Sequence, residues 1–153
     1  MSATTRGYLL DTSIISALAP GREAHLPPGL TDWLHRHDSR LFIPSIAVAE
    51  LAQGIAKLRR SGAHARTDAL EAWLQVLLTG HADHILPLDA GTSELAGQMA
   101  DAAVAIGCHP GFPDIAIAAI ARHHELLLLT ANLRHFEPLG VACLNPLVAL
   151  PEA

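Results

Sequence analysis

The 153 residues suit one domain over residues 1–153, and 15 acidic against 10 basic side chains leave a net charge of −5, which argues against a broad basic surface for nucleic acid. Half of the residues are hydrophobic and only 16% are charged, which excludes a disordered chain. Aromatic residues make up 4%, so neither an immunoglobulin-like sandwich nor an aromatic platform for single strands is indicated.

Apolar runs and turn residues predict the elements of the first half of the chain. The run at residues 8–10 predicts a strand, and the helix-starting residues 11–13 follow it. Residues 20–29 hold three prolines and two glycines, which indicates a loop. Further elements are predicted in this order: a helix at 14–19, a short helix at 32–37, a strand at 41–43 and a helix at 46–60.

The second half continues the alternation of helices and strands. The predicted elements are a helix ending at Gly80, a strand at 84–86, a helix at 89–106, a helix opening at Pro113, a strand at 126–129 and an edge strand at 141–143. Asp89 or Gly91 is the candidate N-cap of the 89–106 helix, and Gly107 is its stop. Short strands that are apolar on both faces and separated by helices predict a three-layer α/β/α domain with a central parallel sheet of four to five strands.

Cysteine usage and the lack of targeting patterns indicate the compartment. Cys108 and Cys143 do not form a CxxC pair, so neither a disulfide framework nor a zinc finger is expected. Asp11 interrupts the N-terminal apolar run before a signal core can form, and the apolar stretch at 141–150 is far shorter than the ~20 residues of a membrane helix. We therefore expect a soluble, cytoplasmic protein with no membrane segment.

Three acidic residues stand where the chemistry of a parallel sheet is usually found. Asp11 follows the first strand, Glu50 lies one turn into the helix after the second, and Asp114 opens the helix before the strand at 126–129. Thr130 and Asn132 follow that last strand. Each acid alone could cap a helix or interact favourably with the positive end of its dipole. Because their flanks are apolar, however, several carboxylates sharing one edge predict a hard divalent cation, Mg²⁺ or Mn²⁺.

Two other site classes fit the sequence poorly. The 10 histidines suggest zinc, but no HExxH pattern occurs, and His123 and His124 suit the last turn of a helix. A phosphatase or response regulator with a phosphorylated Asp11 would need a lysine after a later strand, whereas the only lysine, Lys57, lies within a helix.

Four segments together resemble one known family. They are LLDTS at 9–13, PSIAVAEL at 44–51, DIAIAA at 114–119 and TANLRHF at 130–136. In this order and spacing they resemble the PIN-domain ribonucleases, and most closely the VapC-type toxins of bacterial toxin–antitoxin pairs, including the FitB-like branch. The resemblance covers nearly the whole chain.

The resemblance implies roles for specific residues. Asp11, Glu50 and Asp114 match the three acidic ligands of Mg²⁺ or Mn²⁺ in that family. Thr12 or Ser13 would orient the first carboxylate or a water on the metal.

The end of the last motif both matches the family and departs from it. Thr130 matches a threonine common beside the site, whereas Asn132 stands where an aspartate is frequent and brings no charge. We therefore expect one tightly held ion, with a second arriving with the RNA phosphate. Arg134 is the candidate contact for a substrate phosphate. The other basic cluster is interpreted as a solvated face; its members are Lys57, Arg59, Arg60 and Arg66.

The function that the resemblance implies is that of a Mg²⁺-dependent endoribonuclease toxin of a type II toxin–antitoxin pair. A metal-activated water would hydrolyse an RNA phosphodiester, and the expected partners are a cognate antitoxin and a second copy of the chain, with a higher complex on DNA. The alternative is a catalytically weak PIN-like binding module acting in a DNA-binding toxin–antitoxin regulatory complex. Asn132 favours this alternative, and the three intact acids oppose it.

Overall fold

The computed structural model describes residues 5–151 and has a five-stranded parallel sheet at its centre. The strands are β1 (Tyr8–Leu10), β2 (Leu41–Pro44), β3 (Ile85–Leu86), β4 (Leu127–Leu129) and β5 (Cys143–Leu144). The α-helices of the described residues are α1 (Thr12–Ala17), α2 (Leu30–Arg36), α3 (Ser45–Arg60), α4 (His64–Gly80), α5 (Ala90–Ala105), α6 (Phe112–His123) and α7 (Leu133–Phe136). The predicted α/β class and strand number are confirmed.

The strand order, β3-β2-β1-β4-β5, places β1 and β4 side by side at the middle of the sheet. Tyr8 pairs with Leu127 and Leu10 with Leu129 in parallel register. The chain leaves β1 towards β2 on one side and reaches β4 and β5 on the other. Because connections on the two sides diverge here, the carboxyl ends of β1 and β4 border the crevice in which open α/β sheets usually bind ligands.

Alternate strand residues face opposite helical layers, as the two-residue period of a strand requires. Leu9 and Leu128 pack with α5 and α6 in one hydrophobic cluster. Tyr8, Leu10 and Leu129 belong to a second cluster, which also contains buried residues of α1, α2, α3 and α4. The predicted three-layer arrangement is therefore confirmed.

Helix α6 is the most deeply buried helix segment of the described chain. All seven residues from 115 to 121 are buried, and they comprise four alanines and three isoleucines. Small alanine side chains let the sheet and α5 approach the helix closely, while burial of each isoleucine stabilises the fold by roughly 1.5–3 kcal/mol. Within residues 5–151, no helix combines the length and apolarity needed to cross a bilayer.

Several predicted boundaries are wrong for local reasons. Helix α1 ends at residue 17 rather than 19, and α2 begins at Leu30, directly after Gly29, which adopts φ 84°. The predicted strand at 141–143 is displaced to β5, because Val141 packs in the core ahead of the ladder. The short α7 was not predicted, since four residues are too few to show a helical period. The cap of α5 is Asp89, as predicted.

Candidate functional site

Asp11 directly follows β1 and is held by hydroxyl groups. Its side chain is 4% exposed, and it makes no capping bond to α1 although its backbone occupies the N-cap position. Instead, Oδ2 accepts hydrogen bonds from Ser13 Oγ at 2.7 Å and from Thr130 Oγ1 at 2.8 Å. Hydrogen bonds to a carboxylate are roughly twice as strong as neutral ones, so they fix its orientation.

The same two hydroxyl groups also anchor the chain that leaves β4. Ser13 Oγ accepts the Ala131 N–H at 3.1 Å, and Thr130 Oγ1 accepts the Asn132 N–H at 2.9 Å. Each hydroxyl therefore donates its one hydrogen to Asp11 and accepts one backbone N–H. Thr130 is fully buried, so this arrangement ties the carboxyl ends of β1 and β4 together.

The second oxygen of Asp11 remains available. Oδ1 accepts no hydrogen bond from residues 5–151. It is not fully enclosed either, because the only fully enclosed side-chain polar atom without a partner in that range is Trp33 Nε1. Asp11 Oδ1 therefore keeps contact with solvent. The result is a nearly buried carboxylate with one oxygen satisfied and one oxygen open to a ligand.

Glu50 lies on α3 and is linked to α1 through Thr12. It is half-buried, and its Oε1 accepts a hydrogen bond from Thr12 Oγ1 at 2.7 Å. Because Thr12 immediately follows Asp11, this bond places Glu50 at the same edge of the sheet as the first acid.

Asp114 enters the site from the first turn of α6. Its side chain is 26% exposed, and Oδ2 lies 3.0 Å from Nδ1 of His135 on α7. Partial burial raises the pKa of Asp114, and the charge of Asp11 adds to the increase, while His135 opposes it. The loop at residues 106–111, ahead of α6, therefore brings Asp114 within electrostatic reach of Asp11.

The three acids share an edge but do not enclose a common point. Among residues 5–151, no three histidine, cysteine, aspartate or glutamate side chains lie close enough together to hold a metal ion. Glu50 is turned to Thr12 and Asp114 to His135. Like charges repel, and each carboxylate is hydrogen-bonded to a different partner.

The remaining predicted site residues lie at the rim. Asn132 and Arg134 are exposed, and their side chains form no hydrogen bond or salt bridge with other described residues. His135 was not predicted as a site residue; it lies in the fourth motif, but nothing in the sequence distinguishes it from the other nine histidines. Asp89 accepts hydrogen bonds from Thr92 at 2.9 Å and 2.8 Å, which confirms its capping role.

Comparison with known proteins identifies the family. The sequence model of the PIN domain matches residues 8–139, most of the chain. The chain belongs to the PIN domain family. All three acids and the residues around them lie inside the matched range.

Individual relatives of this PIN domain support the assignment. It is 32% identical over 143 residues to the toxin FitB of Neisseria gonorrhoeae, over 90% of this chain and 96% of that protein. It superposes on the crystal structure of FitAcB from the same organism with a TM-score of 0.75 and 30% identity, covering 91% of this chain and 97% of that one. The DNA-bound VapBC structure from Salmonella typhimurium has the same fold, with a TM-score of 0.70, 24% identity and coverage of 91% and 97%.

Proposed function

We propose that this PIN domain is the toxin of a type II toxin–antitoxin pair and acts as a metal-dependent endoribonuclease. The observation that carries the proposal is the Asp11 carboxylate, buried beside β4, bound by two hydroxyls through one oxygen and open through the other. A carboxylate kept in an apolar setting without a salt bridge is costly, so a role in binding accounts for it better than a role in folding. The likeness to the toxin FitB supports the proposal.

The residues present suit a hard divalent cation. Asp11, Glu50 and Asp114 offer only oxygen donors, which match Mg²⁺ or Mn²⁺, and each has one oxygen without a hydrogen bond to described residues. We propose that these three side chains hold the ion by drawing together from their present separate positions, in which Glu50 faces Thr12 and Asp114 faces His135. When bound, such an ion activates water and offsets charge on a phosphodiester.

The protein's own groups then have separate tasks. Ser13 and Thr130 orient Asp11, Thr12 positions Glu50, and His135 restrains Asp114. The neutral Asn132 leaves the site with three charges instead of four, so we propose one tight ion, with a second arriving with the RNA. Arg134, exposed two residues further on, is proposed to meet a substrate phosphate.

The partners are proposed from the relatives. FitB and VapC-type proteins appear in solved complexes named for toxin and antitoxin together, some of them bound to DNA. We propose a cognate antitoxin, a homodimer and a single PIN-like domain over residues 1–153. The second candidate is a catalytically weak binding module in a DNA-bound regulatory complex; the missing charge at Asn132 favours it.

The test is cleavage by purified protein freed of antitoxin. With Mg²⁺ or Mn²⁺ it should cut RNA, and Asp11→Asn or Asp114→Asn should abolish cutting, whereas Asp89→Asn, at the cap of α5, should not. Cutting that persists in EDTA would refute the metal mechanism. Growth arrest on expression that Asp11→Asn relieves favours the enzyme, while arrest that Asp11→Asn leaves unchanged favours the binding module.

The number of ions has its own measurement. Calorimetric titration of the metal-free protein with Mn²⁺ should show one tight site in the absence of RNA. Two tight sites under these conditions would contradict the role given to Asn132.

A further inference from the structure

A cavity of about 420 Å³ opens beside Glu50, between α1, α3 and α4. Thr12 and Glu50 are among its lining residues, so the cavity adjoins the candidate site. Its volume falls within the ~300–1,000 Å³ of ordinary ligand sites. Arg22 and Arg66 line its wall, and they also line a second cavity of about 520 Å³, which none of the three acids lines.

The two arginines carry charge that the fold does not neutralise. Neither Arg22 nor Arg66 forms a salt bridge in the part of the chain that the structure describes. Arg59, which the sequence grouped with Arg66 as one solvated face, instead binds Asp68 at 2.7 Å and Glu71 at 3.0 Å. The interpretation as a solvated face holds for Lys57, Arg60 and Arg66, which are exposed, whereas Arg59 joins α3 to α4. Arg66 also lines the cavity, with its charge free.

Each arginine is restrained on one side only. Arg66 Nη1 donates to the Pro20 carbonyl at 2.8 Å, and Arg22 Nη1 donates to Ser16 Oγ at 3.4 Å. Gly21 between them has φ 86°, and a Cβ there would lie 3.0 Å from Arg66 Nη1, so glycine permits both the turn and the close approach. A guanidinium has five N–H donors, which leaves most of them for a ligand.

The remaining walls are apolar and include an aromatic ring. Trp73 on α4 is half-buried and lines the cavity, next to aliphatic side chains such as Leu70 and Ile55. Aromatic rings that stack on unpaired bases contribute ~1–3 kcal/mol per base in proteins that bind single strands. One cavity therefore has an aromatic side chain in its wall, suited to a base, and two cations, suited to a phosphate.

We propose that this cavity binds one nucleotide of single-stranded RNA next to the bond that is cut, with Arg22 and Arg66 on its phosphate and Trp73 against its base. The inference rests on the proposed ribonuclease activity and names its substrate subsite. Charge favours RNA over a protein segment here. A basic segment drawn to the acids would be repelled by the two arginines, and an acidic one would be repelled by Glu50, whereas RNA can place one phosphate at a cation held by the acids and the next at the arginines.

The experiment compares cleavage of a short single-stranded RNA by wild type, Arg22→Ala, Arg66→Ala and Trp73→Phe. The matched control is Arg60→Ala, which removes the same charge from an exposed residue outside these cavities. Each cavity arginine variant should raise KM about 10-fold with kcat unchanged, because the contact lies away from the reacting atoms. The salt dependence of kcat/KM should weaken by roughly 0.7 in log–log slope for each arginine removed.

Binding in EDTA, followed by fluorescence anisotropy of the same RNA, separates this inference from the proposed activity. Weaker RNA binding by the arginine variants, but not by Arg60→Ala, supports the subsite even if no cutting is seen. Wild-type KM and RNA affinity in both arginine variants would overturn it. Unchanged RNA binding with loss of antitoxin binding would overturn it too and identify a protein interface. Arg22→Lys and Arg66→Lys, which keep the charge, should recover part of the affinity, and circular dichroism checks that every variant is folded.

Discussion

Replacing Thr130 by valine tests whether the hydroxyls around Asp11 bind the carboxylate as the geometry indicates. Valine keeps the size and branching of threonine but cannot donate to Asp11 Oδ2 or accept the Asn132 N–H. Because Thr130 is fully buried, water cannot take the place of its hydroxyl without disturbing the packing.

The expected loss follows from the two bonds. A hydrogen bond to a charged group contributes about 1.5–3 kcal/mol to stability. The Asn132 N–H loses its acceptor as well, so the loss should not fall below that range. We therefore expect Thr130→Val to lower the free energy of unfolding by about 1.5–3 kcal/mol, which for a domain of this size is a decrease of roughly 3–12 °C in Tm.

Thr67 provides a control of the same residue type and burial. It is also fully buried, but its hydroxyl donates to the Ala63 and His64 carbonyls at the start of α4, and no charge is involved. Thr67→Val should cost less than about 1 kcal/mol. Urea unfolding of both variants at neutral pH decides the matter: equal losses would show that the bond to Asp11 has no special strength. In an Asp11→Asn background, the cost of Thr130→Val should decrease by about 1 kcal/mol.

Three further substitutions test the site and the core by thermal or urea unfolding. Asp114→Asn should raise Tm in EDTA. Burial and the charge of Asp11 raise the pKa of Asp114, so the ionised carboxylate destabilises the fold above that pKa, and the neutral amide removes this effect. A lower Tm for the variant would contradict this reasoning. Ile117→Ala, at a fully buried position in α6, should lower the free energy of unfolding by about 2–5 kcal/mol. A loss below about 1 kcal/mol would mean that the neighbouring side chains close the cavity left by the isoleucine. Gly7→Ala should destabilise by about 1–3 kcal/mol, because its Cβ would lie 2.7 Å from the backbone oxygen of Arg40; wild-type stability would show that β2 can shift.

The features that the sequence predicted correctly depend on local patterns. Apolar triplets that end at a polar residue, such as residues 8–10 before Asp11, locate the strands, and the run at 115–121 predicts a buried helix. Parallel strands place their carboxyl ends at one edge, so the order of these patterns also places Asp11, Glu50 and Asp114 at that edge. Each of these inferences needs only the chain direction and the period of an element.

The features that the sequence could not predict depend on contacts between segments that are far apart in the chain. The choice of Thr12 as the partner of Glu50, and of His135 as the partner of Asp114, is settled by where α1, α3, α6 and α7 come to rest. The same holds for the basic residues. Arg59 and Arg66 lie seven positions apart, yet the charge of Arg59 is neutralised by an acid of α4, whereas Arg66 faces a cavity. No spacing rule separates them, because the decisive contacts are tertiary.

The hydrogen-bond directions around Asp11 also explain why Asp11→Asn tests function separately from folding. Ser13 Oγ and Thr130 Oγ1 each accept a backbone N–H, so each must direct its only hydrogen at position 11. An amide nitrogen at the place of Oδ2 would point its N–H groups at the O–H groups of Ser13 and Thr130. The amide oxygen must therefore occupy that place. The amide nitrogen then replaces Oδ1, the one oxygen open to a ligand. A folded protein that offers a donor where the wild type offers a charged acceptor cannot hold a cation there, so loss of cutting in Asp11→Asn with a preserved fold would locate the defect at that single atom.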